Sequence, residues 1–180
     1  MKSFPFPDEK FKILYVDPPW SYKDSANAGE RGAVHKYDVM DLQAICDLPV
    51  ADIAAENCVL FMWVTPPFLQ DCFKVAEAWQ FKYKTKAFNW VKYTENSKLH
   101  FGMGRWTRAN SEDCLLFTKG KPKRADASVP QIIRSRVLNH SVKPPETRDR
   151  IVKLMGDVSR IELFARQKVE NWDSWGLGVD

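Results

Sequence analysis

Four consecutive residues, Asp17-Pro18-Pro19-Trp20, bring together a carboxylate, two imino acids and an indole. Asp17 and the Pro18 carbonyl are hydrogen-bond acceptors, and Trp20 offers a flat face on which another ring can stack. Such a set suits a planar, aminated heterocycle whose N–H groups need acceptors. The prolines fix their own φ and push their predecessors into extended backbone, so the acceptors are held stiffly. A rigid turn beside a core tryptophan would use the same residue types, and the tetrapeptide alone leaves both readings open.

The elements that must position these residues are legible around them. Phe11-Lys12-Ile13-Leu14-Tyr15-Val16 is short and β-rich and reads as a buried strand. Asp17 then falls at the carboxyl end of a strand, where ligands gather in open α/β sheets. Cys58 to Val64 is a continuous apolar run, expected as a central strand covered on both faces. Phe68, Leu69, Cys72, Phe73, Val75, Ala76 and Trp79 recur at helical spacing as a packing face. Lys82 to Lys92 and Cys114 to Thr118 read as further strands, Ile132-Ile133 as a weaker one, and Arg160 to Ala165 as the last. Asp41 is a fair N-cap for a short helix through Cys46. Ala51 to Glu56 suggests another turn or two, and Pro145 to Met155 a helix with Ile151, Leu154 and Met155 on its apolar face. Ser21 to Lys36 is a polar loop long enough to be functional, and Tyr93 to Asn110 is a second long loop. Strands alternating with helices predict an α/β fold, a mostly parallel sheet with helices on both faces.

The 180 residues, 44% hydrophobic and 28% charged, are expected to form one domain over 1–180 with a substantial core. No apolar run reaches the roughly 18 residues of a membrane span, and the N-terminus lacks the apolar core of a secretory signal. A cytoplasmic protein with no membrane partner is the expectation. Cys46, Cys58, Cys72 and Cys114 form no Cys-x-x-Cys pair and the three histidines are dispersed, so free thiols and no metal are expected. The net charge of +4 is uneven: residues 98–150 hold 12 Lys and Arg against 5 Asp and Glu. That excess suggests a surface for a polyanion, with Arg105, Arg108, Lys121, Lys123, Arg124, Arg134 and Arg136 as phosphate contacts. A basic flank that binds nothing is the plain alternative.

Several blocks recur in a telling order. Asp17-Pro18-Pro19-Trp20 is followed by Leu60-Phe61-Met62-Trp63-Val64-Thr65, then Asn89-Trp90-Val91-Lys92, then Trp106-Thr107-Arg108-Ala109-Asn110-Ser111-Glu112. Lys119-Gly120-Lys121-Pro122, His140-Ser141-Val142-Lys143-Pro144, Glu162-Leu163-Phe164-Ala165-Arg166 and Trp172-Asp173-Ser174-Trp175-Gly176 complete the series. Over nearly the whole chain this resembles adenine amino-methyltransferases of the mRNA adenosine methyltransferase-like (MT-A type) family. The resemblance implies a Rossmann-like fold that binds S-adenosylmethionine, circularly permuted in the β-class order, with the catalytic motif near the N-terminus. It requires no Gly-x-Gly-x-x-Gly loop, and the chain contains none.

The resemblance also implies roles. Asp17 and the Pro18 carbonyl would accept hydrogen bonds from the exocyclic amine of adenine, disfavouring conjugation of its lone pair with the ring. Pro19 and Trp20 complete the catalytic motif, and Trp20 would stack on the base. The methyl group is then displaced in line, so catalysis is largely positioning and electrostatics. Tyr37 matches an aromatic position near the base pocket. Lys143 matches a lysine near cofactor and base, while Arg166 and Ser141, with Asp17, match cofactor-side positions. A solvated lysine, a surface arginine and a serine helix cap are the alternatives for those three. Asn110 and Glu112 suit either a site or a loop cap, and Trp63, Trp90 and Trp106 are expected to be packing residues. The base must be flipped out of a duplex or presented single-stranded.

The implied reaction is N6 methylation of adenine in DNA by a monomer or homodimer without a separate target-recognition domain. RNA adenosine is the alternative substrate, and a non-catalytic nucleic-acid-binding partner subunit is the alternative of a different kind. Two departures stand out. Leu177-Gly178 follows the terminal Trp-Gly where relatives often carry Asn or Glu, and Lys168-Val169 stands where they often carry His-Asn or arginines. Cofactor hydroxyls are then met by backbone groups, or affinity is reduced.

Overall fold

Phe11–Val16 forms the strand expected of it, β1, and every residue but Lys12 is buried. The computed structural model describes residues 5–21, 40–102, 106–137 and 142–176. After β1 come α1 (Leu42–Cys46), α2 (Val50–Ile53), β2 (Ala54–Val64), a 3-10 turn over Pro66–Phe68, and α3 (Leu69–Ala78). The chain continues through β3 (Lys82–Tyr93), β4 (Ser111–Lys119), β5 (Ile132–Arg136), α4 (Glu146–Met155), β6 (Arg160–Leu163) and β7 (Asp173–Trp175). Asp41 caps α1, its carboxylate accepting from the Ala44 N–H at 2.8 Å.

The strands form one sheet in the order β5-β3-β4-β2-β1-β6-β7. β4 is antiparallel to both its neighbours, and every other pair is parallel. The two-residue alternation of strands assigns the core to two layers. Leu14, Val16, Leu60, Met62 and Val64 pack with Ile45, Ile53 and Val75 of the first three helices. Ile13, Tyr15, Val59, Phe61, Trp63, Phe88 and Trp90 pack on the opposite face, where Ile151 of α4 covers them. Helices therefore lie on both faces of a mostly parallel sheet, the Rossmann-like arrangement. Trp63 and Trp79 are fully buried with their N–H groups satisfied, by the Tyr15 hydroxyl at 2.7 Å and the Ile45 carbonyl at 3.0 Å.

Three details differ from the sequence expectation. Residues 54–56 open β2 rather than continue a helix, because Ala54 turns to extended backbone at the end of α2. The strand at Arg160–Leu163 is not the last: β7 adds three residues at the sheet edge, too few to show an alternation. Leu69 and Phe73, expected on the packing face of α3, are 43% and 39% exposed.

One consequence of the order matters for function. From β1 the chain proceeds to β2 on one side, and from β6 to β7 on the other. The crevice between the carboxyl ends of β1 and β6 is thus a topological switch point, where α/β sheets bind ligands.

Candidate active site

Asp17 is the first residue beyond β1 and stands at that crevice. Its backbone geometry is fixed locally: the Trp20 N–H donates to the Pro18 carbonyl at 2.9 Å, and the Met40 N–H donates to the Pro19 carbonyl at 3.1 Å. The Trp20 indole stacks on Phe68 with centroids 5.5 Å apart and planes within 11°. Its N–H points to the Trp63 carbonyl at 3.4 Å. One face of the indole is thus taken by Phe68.

Three charged side chains from three parts of the chain gather with Asp17. Lys143, three residues before α4, donates to Asp17 Oδ2 at 2.9 Å and lies 3.3 Å from Glu112 Oε2. Glu112, at the start of β4, receives the Lys92 ammonium on its other oxygen, Oε1. The Lys92 ammonium lies 4.8 Å from the Trp90 ring centroid, and that of Lys143 lies 5.7 Å from the Trp63 centroid. The four side chains keep between 12% and 25% of their exposure. Asp17 Oδ1 makes no hydrogen bond among the described residues.

The two carboxylates are shifted in opposite directions. Burial raises the Asp17 carboxyl above the usual range, and Lys143 only partly offsets it. Glu112 suffers burial too, but Lys143 and Lys92 together hold it below the usual range. Burial works to lower Lys143, and its two carboxylate partners outweigh that, so it stays protonated. A carboxylate pair pushed apart by environment is a mark of functional sites.

The turn after β6 lies across the crevice. After β6 the chain turns sharply at Phe164 (φ 58°), and the Ala165 N–H donates to the Trp175 carbonyl at 3.0 Å. Trp175 is flanked by Phe6 and Phe164. A Cβ at Gly176 would lie 2.6 Å from the Ala165 nitrogen and oxygen, so only glycine lets the two strand ends approach this closely. Arg166 is exposed just beyond this turn, and its charge is felt at Asp17.

The other expected site residues disperse. Arg134 and Arg136 are exposed on the edge strand β5, Arg136 opposite Tyr93 at the carboxyl edge of the sheet. Arg108 folds back on its own loop, donating to the carbonyls of Gly102 and Phe101 at 2.8 and 3.3 Å. Lys121, Lys123 and Arg124 follow the far end of β4, which pairs with the start of β2 at Cys58. The Lys121 N–H is tied there to Asn57 at 2.7 Å. A nine-residue strand spans roughly 27 Å, so these three lie at the opposite edge from Asp17. Arg148 is committed to Glu162 and Arg150 to Glu146. The basic stretch thus does not make one face. Tyr37, Ser141 and Arg105 lie outside the described residues.

Trp63 and Trp90 are packing residues as expected, but Trp106 is not: it is 100% exposed on the 94–110 loop. Sequence reasoning left Glu112 between two roles and passed over Lys92. Their separation of 20 residues hides a contact that appears only when antiparallel β3 and β4 place Trp90 opposite Glu112. No cluster of metal-ligating side chains and no helix able to cross a membrane occurs among the described residues.

The sheet order and the switch point define a Rossmann-like protein, with the Asp17 carboxylate at the end of β1. The family model for MT-A70 matches residues 11–178, and the chain belongs to that family. It is similar to the Type II methyltransferase M.MunI of Mycoplasma sp, with 35% identity over 96% of this chain and 79% of that protein. It is also similar to mouse N(6)-adenine-specific methyltransferase METTL4, 27% identical over 94% of this chain and 37% of that protein. The N6-methyladenosine RNA methyltransferase MTA1 of Pyricularia oryzae is 26% identical over 94% of this chain and 47% of its own length. This is a methyltransferase family whose members act on the N6 position of adenine.

Proposed function

We propose that this chain transfers a methyl group from S-adenosylmethionine to the exocyclic amine of adenine in DNA. The observation that carries the reading is the half-buried Asp17 carboxylate, fixed by Lys143 through Oδ2 and with Oδ1 unbonded among the described residues. The choice of DNA follows M.MunI, of which the chain covers the larger share.

The residues at the crevice fit the proposed cofactor. Arg166 and Lys143 are cations suited to a carboxylate, Asp17 is an anion suited to an ammonium or sulfonium, and Ser141 remains part of this reading. The close approach at Gly176 supplies backbone rather than side chain there, which agrees with Leu177 standing where a polar residue is common. When bound, the cofactor supplies an electrophilic methyl group.

Asp17 Oδ1 accepts one amine N–H. The Pro18 carbonyl is already engaged by Trp20, but a carbonyl oxygen has two lone pairs and the second is available to the other N–H. The two acceptors hold the amine so that its lone pair leaves conjugation and faces the methyl group. Lys143 keeps the carboxylate from rotating. Trp20, braced by Phe68, supports the base on its remaining face. Trp106, on the loop that leaves β3 at the same edge, offers a ring to a neighbouring unstacked base, with Arg134 and Arg136 for phosphates. Free thiols at Cys46, Cys58, Cys72 and Cys114 suit the cytoplasmic setting expected from the sequence.

RNA adenosine is the second reading, supported by the likeness to the RNA methyltransferase MTA1. Incubation with labelled cofactor and matched DNA and RNA pools, followed by nucleoside analysis, tests both. Label in N6-methyldeoxyadenosine is the expected result. Label only in the ribonucleoside selects the second reading, and none in either overturns the proposal.

A further inference from the structure

We propose that Lys92 is a positioning residue: it holds Glu112, and through Glu112 it keeps Lys143 on the Asp17 carboxylate. Only the activity readout below rests on the methyl-transfer reading. Glu112 divides its two oxygens between two lysines, Oε1 to Lys92 and Oε2 to Lys143. Lys143 sits closer to Asp17, at 2.9 Å, than to Glu112, at 3.3 Å. This lean depends on Glu112 being already partnered. Without Lys92, both Glu112 oxygens would draw on the Lys143 ammonium, and Asp17 would lose its cation.

Lys92 is anchored independently of the ligand crevice. It lies near the carboxyl end of β3 with its ammonium over Trp90, a cation–π contact. Among the described residues, the ionisable groups facing the cluster are Asp17 beyond β1, Glu112 and Cys114 of β4, Lys143 before α4, Lys92 of β3, and Arg166 after β6. The two carboxylates and Lys92 and Lys143 sum to zero charge, so removing Lys92 leaves an excess anion beside Asp17. That excess raises the proton affinity of Asp17.

The test is carbon-detected NMR titration of the Asp17 carboxyl in the intact chain, alongside the pH profile of methyl transfer. Lys92→Met should move the Asp17 midpoint and the acid limb of the profile upward together by about one pH unit, a tenfold loss of rate on that limb. Lys92→Arg should restore both. Glu112→Gln should shift the midpoint downward, because Lys143 then serves Asp17 alone. Adding Lys92→Met to Glu112→Gln should produce no further shift, since the connection is gone.

An unchanged midpoint in Lys92→Met, or an equal shift with Glu112→Gln already in place, overturns the proposal. If Lys92→Met fails to fold, Lys92→Gln, which removes the charge but keeps a polar donor, takes its place. An upward Asp17 midpoint that disappears when Glu112→Gln is also present supports the connection, and no shift overturns it. A wild-type chain that methylates nothing while the midpoints move as stated would sink the proposed function and leave this inference standing.

Discussion

Each edge of the sheet holds a cation out of full solvent, and the two edges treat it differently. At the amino edge, Arg160 opens β6 and is 8% exposed. Its guanidinium donates to the Asn171 carbonyl at 2.7 Å, to Asp157 at 2.7 Å and to the Val158 carbonyl at 3.0 Å, and it lies over Trp172. That cation ties the turn before β6 to the turn before β7, although the surface there forms a depression of about 360 Å³. At the carboxyl edge, carboxylates and lysines pair with one another, and among the described residues Asp17 keeps an oxygen in reserve. A cluster that satisfies itself builds structure, whereas one that leaves an acceptor over, at a switch point, is prepared for a ligand.

The largest effect should come from removing that acceptor. Asp17→Asn should reduce methyl transfer about 10²- to 10³-fold, as when one aligned polar group is lost from a preorganised site. It should also abolish the acid limb of the pH profile, which lies above the range of an ordinary aspartate because burial raises the Asp17 carboxyl. The sign for stability runs the other way. As pH falls through the raised Asp17 value, the folded chain takes up the proton before the unfolded one, so ionised Asp17 burdens the fold at neutral pH. Thermal melting at pH 7 should find Asp17→Asn as stable as wild type or slightly more so. A clear loss of stability would move Asp17 from function to structure.

Arg160→Ala should do the reverse at the other edge. Hydrogen bonds made by a charged group contribute about 1.5–3 kcal/mol, and denaturant titration should show a loss of about that order. Turnover per folded molecule should be unchanged. A fall in turnover with stability intact would mean that the amino-edge depression takes part in the reaction, and the contrast between the edges would fail.

How legible this contrast was in the sequence depends on the range of the interactions. β1, α1, α3 and α4 were readable because strand pattern, N-cap and helical spacing are local. Asp17 was readable because prolines and an indole mark it. Glu112 and Lys92 were obscure because their pairing is a matter of register between β3 and β4, and a polar residue at a strand terminus carries no local sign of its partner. The basic stretch misled for the opposite reason. Proximity in sequence made residues 98–150 look like one surface, but β4 carries Lys121, Lys123 and Arg124 to the far edge, while Arg148 and Arg150 turn inward. Trp106 misled through its type: a tryptophan is usually packed, and only the course of the 94–110 loop exposes it.

The smallest effects should appear in nucleic-acid affinity, and they sharpen the comparison by assigning the polyanion to an edge. Neutralising Arg134 and Arg136 together should reduce the salt slope of binding by about 2 if both meet phosphates. Neutralising Lys121, Lys123 and Arg124 should leave it nearly unchanged. Trp106→Ala should alter stability by less than about 0.5 kcal/mol, as for an exposed residue without packing, yet weaken binding by about 1–3 kcal/mol through the lost base stack. Fluorescence-detected titration across a salt series measures slope and affinity at once. If the far-edge trio lowered the slope and Trp106→Ala were silent, the nucleic acid would cross the amino edge. Asp17 would then reach its base only if the strand wrapped the sheet, a path that lengthening the oligonucleotide would reveal as a stepwise gain in affinity.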